Sequence, residues 1–324
     1  MDLDTVDRQL IHALRVDGRA GFNQIARVLG VSDQTVARRY RRLRAAGGLR
    51  VVARPNPWRL GHEVWLLRLR CTPDAATAVA NALAKRPDTA WISLTSGGTE
   101  IACMLTVDGT EDRDALLLRK LPGTPRVVAV TAHLHLHLFA GGPHDRFARP
   151  AALSPEQVTQ LAAPSTPEPD PELAAERAAL DEADTPLIAA LAQDGRSGYP
   201  ELARATGWSE STVRRRLDQL RRSATIYFDV EVDPALLGFH TRVMLWLSVQ
   251  PRHLAAAGEA LAQHPEVVFA AAITGPSNLV ATVVCPDAPT LYRYLTDRIG
   301  ALPGVERVES APNLRTLKQV GPLP

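Results

Sequence analysis

The sequence predicts an α+β protein in which one unit, three short helices followed by a β-α-β-β-α-β domain, occurs twice in tandem. Three observations lead to this prediction. The chain repeats itself, apolar residues recur at helical spacing at the start of each repeat, and strand-like and helix-like segments alternate in the remainder. Both repeats are therefore expected to contain the same two small domains.

The repeat is clearest near the N-terminus. Residues 3–43 align without a gap on residues 180–220, and twenty of those 41 positions are identical. Weaker similarity continues to the end of both copies. Between the copies, residues 142–179 are rich in proline, which removes backbone donors and favours extended chain, so this stretch is predicted to be a linker. Two short helices, at 154–162 and 172–180, are expected within it.

Composition narrows the function classes. The chain has 324 residues and a net charge of only +2, so any nucleic-acid binding must come from a local basic surface. Three cysteines without CxxC spacing argue against a disulfide framework or a cysteine zinc site and fit a reducing cytoplasm. The N-terminus lacks an apolar signal core, and no run of about 18 apolar residues occurs, so no membrane segment is expected. Because no nucleophile elbow, P-loop or GxGxxG pattern occurs, we expect neither enzymatic activity nor a cofactor.

Three helices are predicted in the first forty residues of each copy. In the first copy, a helix containing Leu10 and Leu14 is followed by the turn Asp17-Gly18-Arg19 and a second helix over 22–29. Gly30 ends this helix, Ser32 is placed to cap the next one, and a third helix is expected over 33–46. Three short helices with a tight turn before the third are typical of a helix-turn-helix domain.

The third helix has an apolar face and a basic face. Val36, Tyr40 and Leu43 form its predicted buried stripe, and Val213, Leu217 and Leu220 form that of the second copy. Arginine on the outward face can reach guanine edges or phosphates, and glutamine can pair with adenine. The predicted DNA-binding residues are Ser32, Gln34, Thr35, Arg38, Arg39, Arg41, Arg42, Ser209, Ser211, Thr212, Arg214, Arg215, Arg216 and Gln219. The alternative is a solvated arginine-rich helix that binds nothing.

The two outward faces differ. Residues 33–50 carry six arginines and one aspartate, whereas residues 210–227 carry five arginines, one glutamate and one aspartate. Asp218 and Gln219 stand where the first copy has Arg41 and Arg42. Two unequal recognition helices in one chain predict an asymmetric DNA site.

The remainder of each copy predicts a β-α-β-β-α-β domain. In the first copy the segments are Glu63–Cys71, Asp74–Lys85, Thr89–Ser96, Ile101–Asp108, Asp112–Leu121 and Val127–Leu138. In the second they are Thr241–Val249, Leu254–Gln263, Val267–Thr274, Leu279–Cys285, Ala288–Ala301 and Val305–Leu317. The predicted domains are therefore residues 1–54 and 180–230 (helix-turn-helix), 60–141 and 236–321 (β-α-β-β-α-β), and 142–179 (linker).

These residues resemble the Lrp/AsnC family of regulators. The family pattern is present as Leu3-Asp4, Asp7, Gly18-Arg19, Leu29-Gly30-Val31-Ser32, Thr35-Val36 and Arg38-Arg39, and again as Leu180-Asp181, Asp184, Gly195-Arg196, Gly207-Trp208-Ser209, Thr212-Val213 and Arg214-Arg215-Arg216. The second copy departs from it at Ser223-Ala224, where the family usually has glycine. A second winged helix that is looser, or less competent to bind DNA, is expected from this departure.

The resemblance implies a winged helix-turn-helix followed by a ferredoxin-like sensor domain in each copy. It also implies double-stranded DNA and a small effector, often an amino acid, as partners, and pairing of sensor domains within and between chains. The family turn Gly-x-x-Asp lies between the two central strands, but here Glu100 and Asn278 replace its aspartate. The effector-binding candidates are Ser96, Gly97, Thr99, Glu100, Thr274, Gly275, Ser277 and Asn278. The alternative is an ordinary β-turn at each place.

Three histidines, His133, His135 and His137, alternate with leucines in the last strand of the first sensor domain. Strand periodicity would put the three imidazoles on one face, roughly 7 Å apart, with the leucines packed on the helices. Two of them could bind zinc or copper, but polar packing at an interface is the favoured interpretation and no metal is predicted.

Two functions are alternatives to DNA-binding regulation. One is a sensor module that has lost DNA binding. The other is enzymatic, because some proteins resembling this family are sirohaem decarboxylases that keep a vestigial helix-turn-helix. His62, His133 and His240 would then be the tetrapyrrole-binding candidates. The arginine-rich third helices favour a DNA-binding regulator.

Overall fold

The computed structural model describes residues 3–142, 152–165 and 179–319. The chain divides into two compact units, Met1–Gly61 with Gly142–Gly238, and His62–Gly141 with Phe239–Pro324. The first unit contains the helical domains of both copies, and the second contains both β-α-β-β-α-β domains. The predicted α+β fold class, duplicated in tandem, is confirmed. The predicted bounds of the five segments stay a prediction.

In the first unit each copy supplies the helices of a helix-turn-helix domain and one strand, and further helices lie outside these domains. The first copy supplies α1 (Thr5–Val16), α2 (Phe22–Leu29), α3 (Asp33–Ala45), β1 (Leu49–Pro55) and a short α4 (Pro57–Leu60). Later parts of the chain supply α7 (Pro155–Ser165), α8 (Thr185–Gln193), α9 (Tyr199–Thr206), α10 (Glu210–Arg222) and β6 (Ile226–Val232). The predicted helix-turn-helix elements are thus present in both copies.

The third helix of each copy is built as its sequence predicts. The Ser32 hydroxyl accepts the amide of Thr35 at 3.1 Å, and that of Ser209 accepts the amide of Thr212 at 3.2 Å, so each serine caps a helix. The two predicted apolar stripes are buried. Burial of these stripes fixes which side of each helix faces outward.

The wing strands of the two copies pair with each other. Strands β1 and β6 are antiparallel, with a register that runs from Leu49 opposite Val232 to Pro55 opposite Ile226. A two-stranded sheet therefore joins the helical domains within the first unit.

The turn after the recognition helix is the same in both copies although the residues differ. Gly47 has a φ of 67°, and Ala224, its counterpart, has a φ of 52°. The amide of Thr225 donates to the Leu220 carbonyl at 3.0 Å, as that of Gly48 donates to the Leu43 carbonyl at 3.1 Å. The second copy thus makes the turn that glycine usually makes, with a left-handed alanine that costs about 1–2 kcal/mol.

A helix from the segment between the copies packs on the first helical domain. Helix α7 confirms the helix predicted at 154–162, and its Leu161 lies in the same apolar core as α1 and α2. The Nδ1 atom of His12, in α1, accepts the amides of Ala152 and Leu153 at 2.9 and 3.0 Å. The predicted helix at 172–180 and most of the proline-rich stretch lie outside the described residues.

We expect acid to release this attachment. Burial lowers the pKa of His12 to about 4, so the folded chain keeps it neutral, while an unfolded chain protonates it near pH 6.5. The unfolded state therefore binds more protons between about pH 6.5 and 4, and stability falls as the pH is lowered through that window. Thermal denaturation should show a smaller loss of Tm between pH 7 and pH 5 in a His12→Asn variant than in the wild type.

The matched control for this prediction is His137→Asn, since that imidazole is exposed. It should leave the pH dependence unchanged. Equal pH dependence in His12→Asn and the wild type would contradict the assignment of the acid sensitivity to His12.

The second unit is an eight-stranded sheet that closes on itself. Its strands are β2 (Glu63–Cys71), β3 (Thr89–Thr95), β4 (Glu100–Val107), β5 (Val127–Ala140), β7 (Thr241–Val249), β8 (Val267–Ile273), β9 (Leu279–Cys285) and β10 (Val305–Lys318). Their order is β10-β3-β4-β2-β5-β8-β9-β7, and β7 pairs again with β10. The two copies meet where β5 pairs with β8 and where β10 pairs with β3.

The helices of the second unit follow the predicted order. They are α5 (Ala76–Ala84), α6 (Thr110–Asp114), α11 (Leu254–Ala262) and α12 (Ala288–Arg293). Helices α6 and α12 were each predicted as one longer α-helix, but both continue as π-helical segments, Ala115–Lys120 and Tyr294–Ile299. No helix among the described residues is long and apolar enough to cross a membrane.

Candidate nucleic-acid interface and effector site

The outward face of α3 is exposed and basic. Gln34, Arg38 and Arg41 are exposed, while Thr35 is half-buried, with its hydroxyl 2.8 Å from that of Ser32. Within the described part of the chain the guanidiniums of Arg38 and Arg41 form no ion pair, so they can meet an anionic surface without breaking one. This face has the chemistry needed to bind a phosphate backbone and base edges.

Two predicted DNA-binding arginines of the first copy are tied to buried acid. Arg39 Nη1 lies 2.9 Å from Asp7 Oδ1 and 2.6 Å from Asp4 Oδ2, and its side chain is only 19% exposed. Arg42 Nη2 lies 2.5 Å from Asp7 Oδ2. The side chain of Asp7 is fully buried, so both arginines help to neutralise it. That these two arginines contact DNA stays a prediction. Their structural role, the neutralisation of buried Asp7, cannot be recognised from helical periodicity.

The second copy repeats this arrangement. Arg216 donates to Asp184 from Nε at 2.8 Å and from Nη2 at 2.5 Å, and Asp184 is buried. Among the other candidates Ser209, Ser211, Arg214, Arg215 and Gln219 are exposed and Thr212 is half-buried. The guanidinium of Arg214 stacks on the ring of Tyr199, 4.4 Å from its centroid. Arg215 is therefore the exposed arginine of this face that corresponds to Arg38.

Reciprocal contacts hold the two helical domains together. Arg19 donates to the carbonyls of Gly195 and Ser197 at 2.6 and 3.1 Å. In the reciprocal contact, Arg196 donates to the carbonyls of Gly18 and Ala20 at 2.7 and 2.9 Å. Each Asp-Gly-Arg turn was predicted from the sequence as a break between two helices. Each one therefore also binds the corresponding turn of the other copy.

The effector candidates of the first copy lie at the turn between β3 and β4. Ser96 and Gly97 have φ values of 52° and 76°, and Thr99 donates to the Ser96 carbonyl at 3.2 Å. Glu100 is buried, accepts the Ser96 hydroxyl at 2.9 Å and pairs with Arg68 at 2.5 Å. Its carboxylate is therefore occupied within the sheet, where the family pattern has a turn aspartate.

The corresponding turn of the second copy is closed by different contacts. The side chain of Asn278 bonds to the backbone of Val249 as a paired strand would. It accepts the Val249 amide at 2.9 Å and donates to the Val249 carbonyl at 2.8 Å. Thr274 accepts the Leu134 amide with its hydroxyl at 2.9 Å. Gly275 has a φ of 112° and Ser277 is half-buried. The two turns therefore offer different polar groups.

The histidines of β5 do not share one face. His133 and His135 are buried, but His137 is exposed, because a β-bulge between His135 and His137 reverses the alternation. Leu136 is also 57% exposed, so the prediction that the leucines pack on the helices is wrong at this position. Among the residues that the structure describes, no three His, Cys, Asp or Glu side chains are grouped as metal ligands.

The two buried imidazoles differ in their surroundings. His133 donates from Nδ1 to the Thr274 carbonyl at 2.6 Å and lies against Trp246, with ring centroids 5.5 Å apart. His135 packs against Phe269, and neither of its ring nitrogens has a hydrogen-bond partner among the described residues. Burial lowers the pKa of His135 to about 4, so the ring is neutral at physiological pH. The hydrogen bond of His133 is a polar contact of the kind expected, whereas the packing of His135 is apolar.

Sequence patterns common to known families match both copies. The AsnC-type helix-turn-helix domain matches residues 3–44 and 180–221, and the Lrp/AsnC ligand binding domain matches residues 242–323. The matches cover the helical domains of both copies and the sensor domain of the second copy.

Several curated proteins are similar to one copy of the chain. The HTH-type transcriptional regulator FL11 of Pyrococcus horikoshii is 32% identical over 149 residues, which are 98% of that protein and 46% of this chain. The HTH-type transcriptional regulator Rv2324 of Mycobacterium tuberculosis is 33% identical over 143 residues, 94% of its length and 43% of this chain. Nearly the whole of each relative therefore corresponds to less than half of this chain.

Solved structures of one protein resemble the chain over almost its full length. The siroheme decarboxylase NirDL has a TM-score of 0.64 and covers 97% of this chain and 93% of its own, at 13% sequence identity. At that identity the likeness shows the fold alone. Taken with the family patterns and the relatives, the duplicated fold leads to one conclusion: the chain belongs to the Lrp/AsnC family of transcriptional regulators.

Proposed function

We propose that this chain binds specific double-stranded DNA as a pseudo-symmetric transcriptional regulator, with one recognition helix from each copy. The observation that carries the proposal is the exposed basic face of α3, with Arg38 and Arg41, and its less basic counterpart on α10. A helix of this kind fits the major groove, and neighbouring arginines hold phosphates. Because the two faces differ, the preferred site is an imperfect palindrome.

A shift assay over a range of salt concentrations tests this function. Two DNA duplexes of the same length are titrated with wild-type and with Arg38→Ala protein. One comes from upstream of the gene that encodes this chain, and the other is unrelated. We expect the wild type to prefer upstream DNA and to lose affinity steeply with salt, since phosphate contacts release counterions. Equal weak binding of both proteins to both duplexes would reject DNA recognition and favour a sensor module.

We further propose that a small molecule bound at the sensor domains modulates DNA binding, and that chains associate further in the cytoplasm. The support is the match to the Lrp/AsnC ligand binding domain and the two different polar turns at Gly97 and Gly275. An amino-acid panel in a thermal-shift assay is the first probe, because a ligand that binds the folded state raises Tm by mass action. A hit should lose its effect in a Glu100→Gln or Asn278→Ala variant. If a hit retains its full effect in both variants, the turns are not its site.

A second candidate function is that of a tetrapyrrole enzyme. It is favoured by the fold likeness to siroheme decarboxylase NirDL, a second structure of which is a complex with an iron-uroporphyrin III analogue, and by the unpartnered imidazole of His135. Of the three histidines first considered, His133 is buried, His62 is half-buried and His240 is exposed. Added iron tetrapyrrole should then give a shifted absorbance band that His135→Ala abolishes. An unshifted spectrum would remove this candidate.

A further inference from the structure

The two wing strands carry charges of opposite sign on one face. Arg50 and Arg54 of β1 lie on the same face of the sheet as Asp229 and Glu231 of β6, because side chains alternate along a strand. Arg54 Nη2 lies 2.8 Å from Asp229 Oδ2 and 3.3 Å from Glu231 Oε1. Arg50 Nε lies 3.0 Å from Glu231 Oε2. Each acid of β6 is thus bound by an arginine of β1.

These ion pairs are largely shielded from water. The side chain of Arg54 is 4% exposed and that of Glu231 is 12% exposed. An ion pair at a protein surface contributes little, but removing one partner of a buried pair leaves an uncompensated charge. Opposite charges across the two strands therefore stabilise their pairing, and an unmatched charge would destabilise it.

The register shows what other pairings would bring together. Val52 lies opposite Asp229, and these two residues occupy the same position in the two copies. The same register between two first-copy strands would place Arg50 opposite Arg54. Between two second-copy strands it would place one Asp229 opposite another. Both homotypic pairings would therefore bury like charges without a counter-charge.

Two other sets of contacts between the helical domains do not discriminate in this way, because each joins residues that both copies carry. Arg44 pairs with Asp194 at 2.8 Å, and its counterpart Arg221 pairs with Asp17 at 3.2 Å. The Asp-Gly-Arg turns also exchange the same hydrogen bonds in both directions. Since both copies carry these residues, the contacts would form in any combination of copies.

We propose that the charges of the wing strands select the partner of each helical domain: a first-copy wing pairs with a second-copy wing and rejects a wing of its own kind. The reciprocal arginine contacts supply attachment, and the strand charges supply the choice. The partner surface for β1 is therefore an acidic strand with aspartate and glutamate two residues apart. In the full chain, that strand is β6.

Exchanging strand residues within the full chain tests this proposal. The first variant gives β6 the charges of β1 by Tyr227→Arg, Asp229→Val and Glu231→Arg. The second gives β1 the charges of β6 by Arg50→Tyr, Val52→Asp and Arg54→Glu. The third carries all six substitutions, so its composition is that of the wild type and its opposite charges face each other again.

We expect Tm to fall by on the order of 10 °C in the first two variants and to return to within a few degrees of the wild type in the third. Arg41→Asp, a charge reversal on an exposed helix face, is the control and should leave Tm unchanged. If the first two variants do not fold, the third decides the matter. A third variant that does not regain a Tm near that of the wild type, or full stability in the first two, would overturn the proposal.

Discussion

Replacing Arg38 and Arg41 together by alanine is expected to weaken binding to a specific DNA site by about 100-fold. Each exposed arginine that contacts a base edge or phosphate contributes about 1–3 kcal/mol, and about 1.4 kcal/mol is tenfold in affinity. Both side chains project from α3 away from the buried stripe, so their loss should leave the fold intact. Fluorescence anisotropy with a labelled operator at fixed salt measures the change.

The second copy should respond differently. Only Arg215 corresponds to an exposed arginine of this pair, because Asp218 stands in the position of Arg41. Arg215→Ala should cost about tenfold, and Asp218→Arg should tighten binding. The matched control is Arg119→Ala with Arg298→Ala, two exposed arginines of the other unit. Equal losses in the control and in the Arg38 and Arg41 variant would contradict the assignment of the interface.

Asp7→Ala is expected to destabilise the protein by about 3 kcal/mol. The fully buried carboxylate of Asp7 neutralises Arg39 and Arg42, and it also accepts the amide of Asp4 at 3.2 Å. Removing one partner of a buried ion pair costs about 3–5 kcal/mol, and the lower value applies because Arg42 can turn towards water. Urea denaturation followed by circular dichroism gives the free energy of unfolding.

Asp4→Asn is the control for this measurement, because it removes the charge of Asp4 and keeps the side-chain oxygen that accepts the Asp7 amide at 3.0 Å and caps α1. Asp4 bonds to the same arginine, but its side chain is 54% exposed, so its ion pair should contribute no more than about 1 kcal/mol. Asp184→Ala in the second copy should behave like Asp7→Ala. A loss from Asp7→Ala no larger than that from Asp4→Asn would show that the buried carboxylate does not stabilise α3.

Local patterns predicted most of the fold. Strands β2, β7 and β9 and helix α2 have the bounds expected from alternation, helical spacing and the glycine turns. The π-helical segments after α6 and α12 were not predicted. An apolar pattern with helical spacing does not distinguish a continuous α-helix from one that ends in a π-helical segment. Likewise, the bulge that turns His137 outward depends on how β5 meets β8, a pairing distant in the sequence.

The candidate site was only partly predictable for a similar reason. Helical periodicity identified the outward face of α3, but it could not show that Arg39 reaches back to Asp7 across 32 positions of the sequence. One signal was available. The spacing from Asp7 to Arg39 recurs between Asp184 and Arg216, and such a repeated acid–base spacing indicates a contact within the domain. The charges of the wing strands could not be paired before their register was known.

Site selection from a random DNA library with the full-length protein tests the central claim most directly. Two recognition helices held in one chain, one bearing Arg41 and Arg42 and the other Asp218 and Gln219, should enrich two half-sites of unequal sequence. The enriched site should become more symmetric when Asp218→Arg and Gln219→Arg make the second helix more like the first. A perfectly symmetric site for the wild type, or enrichment of no sequence at all, would contradict the account.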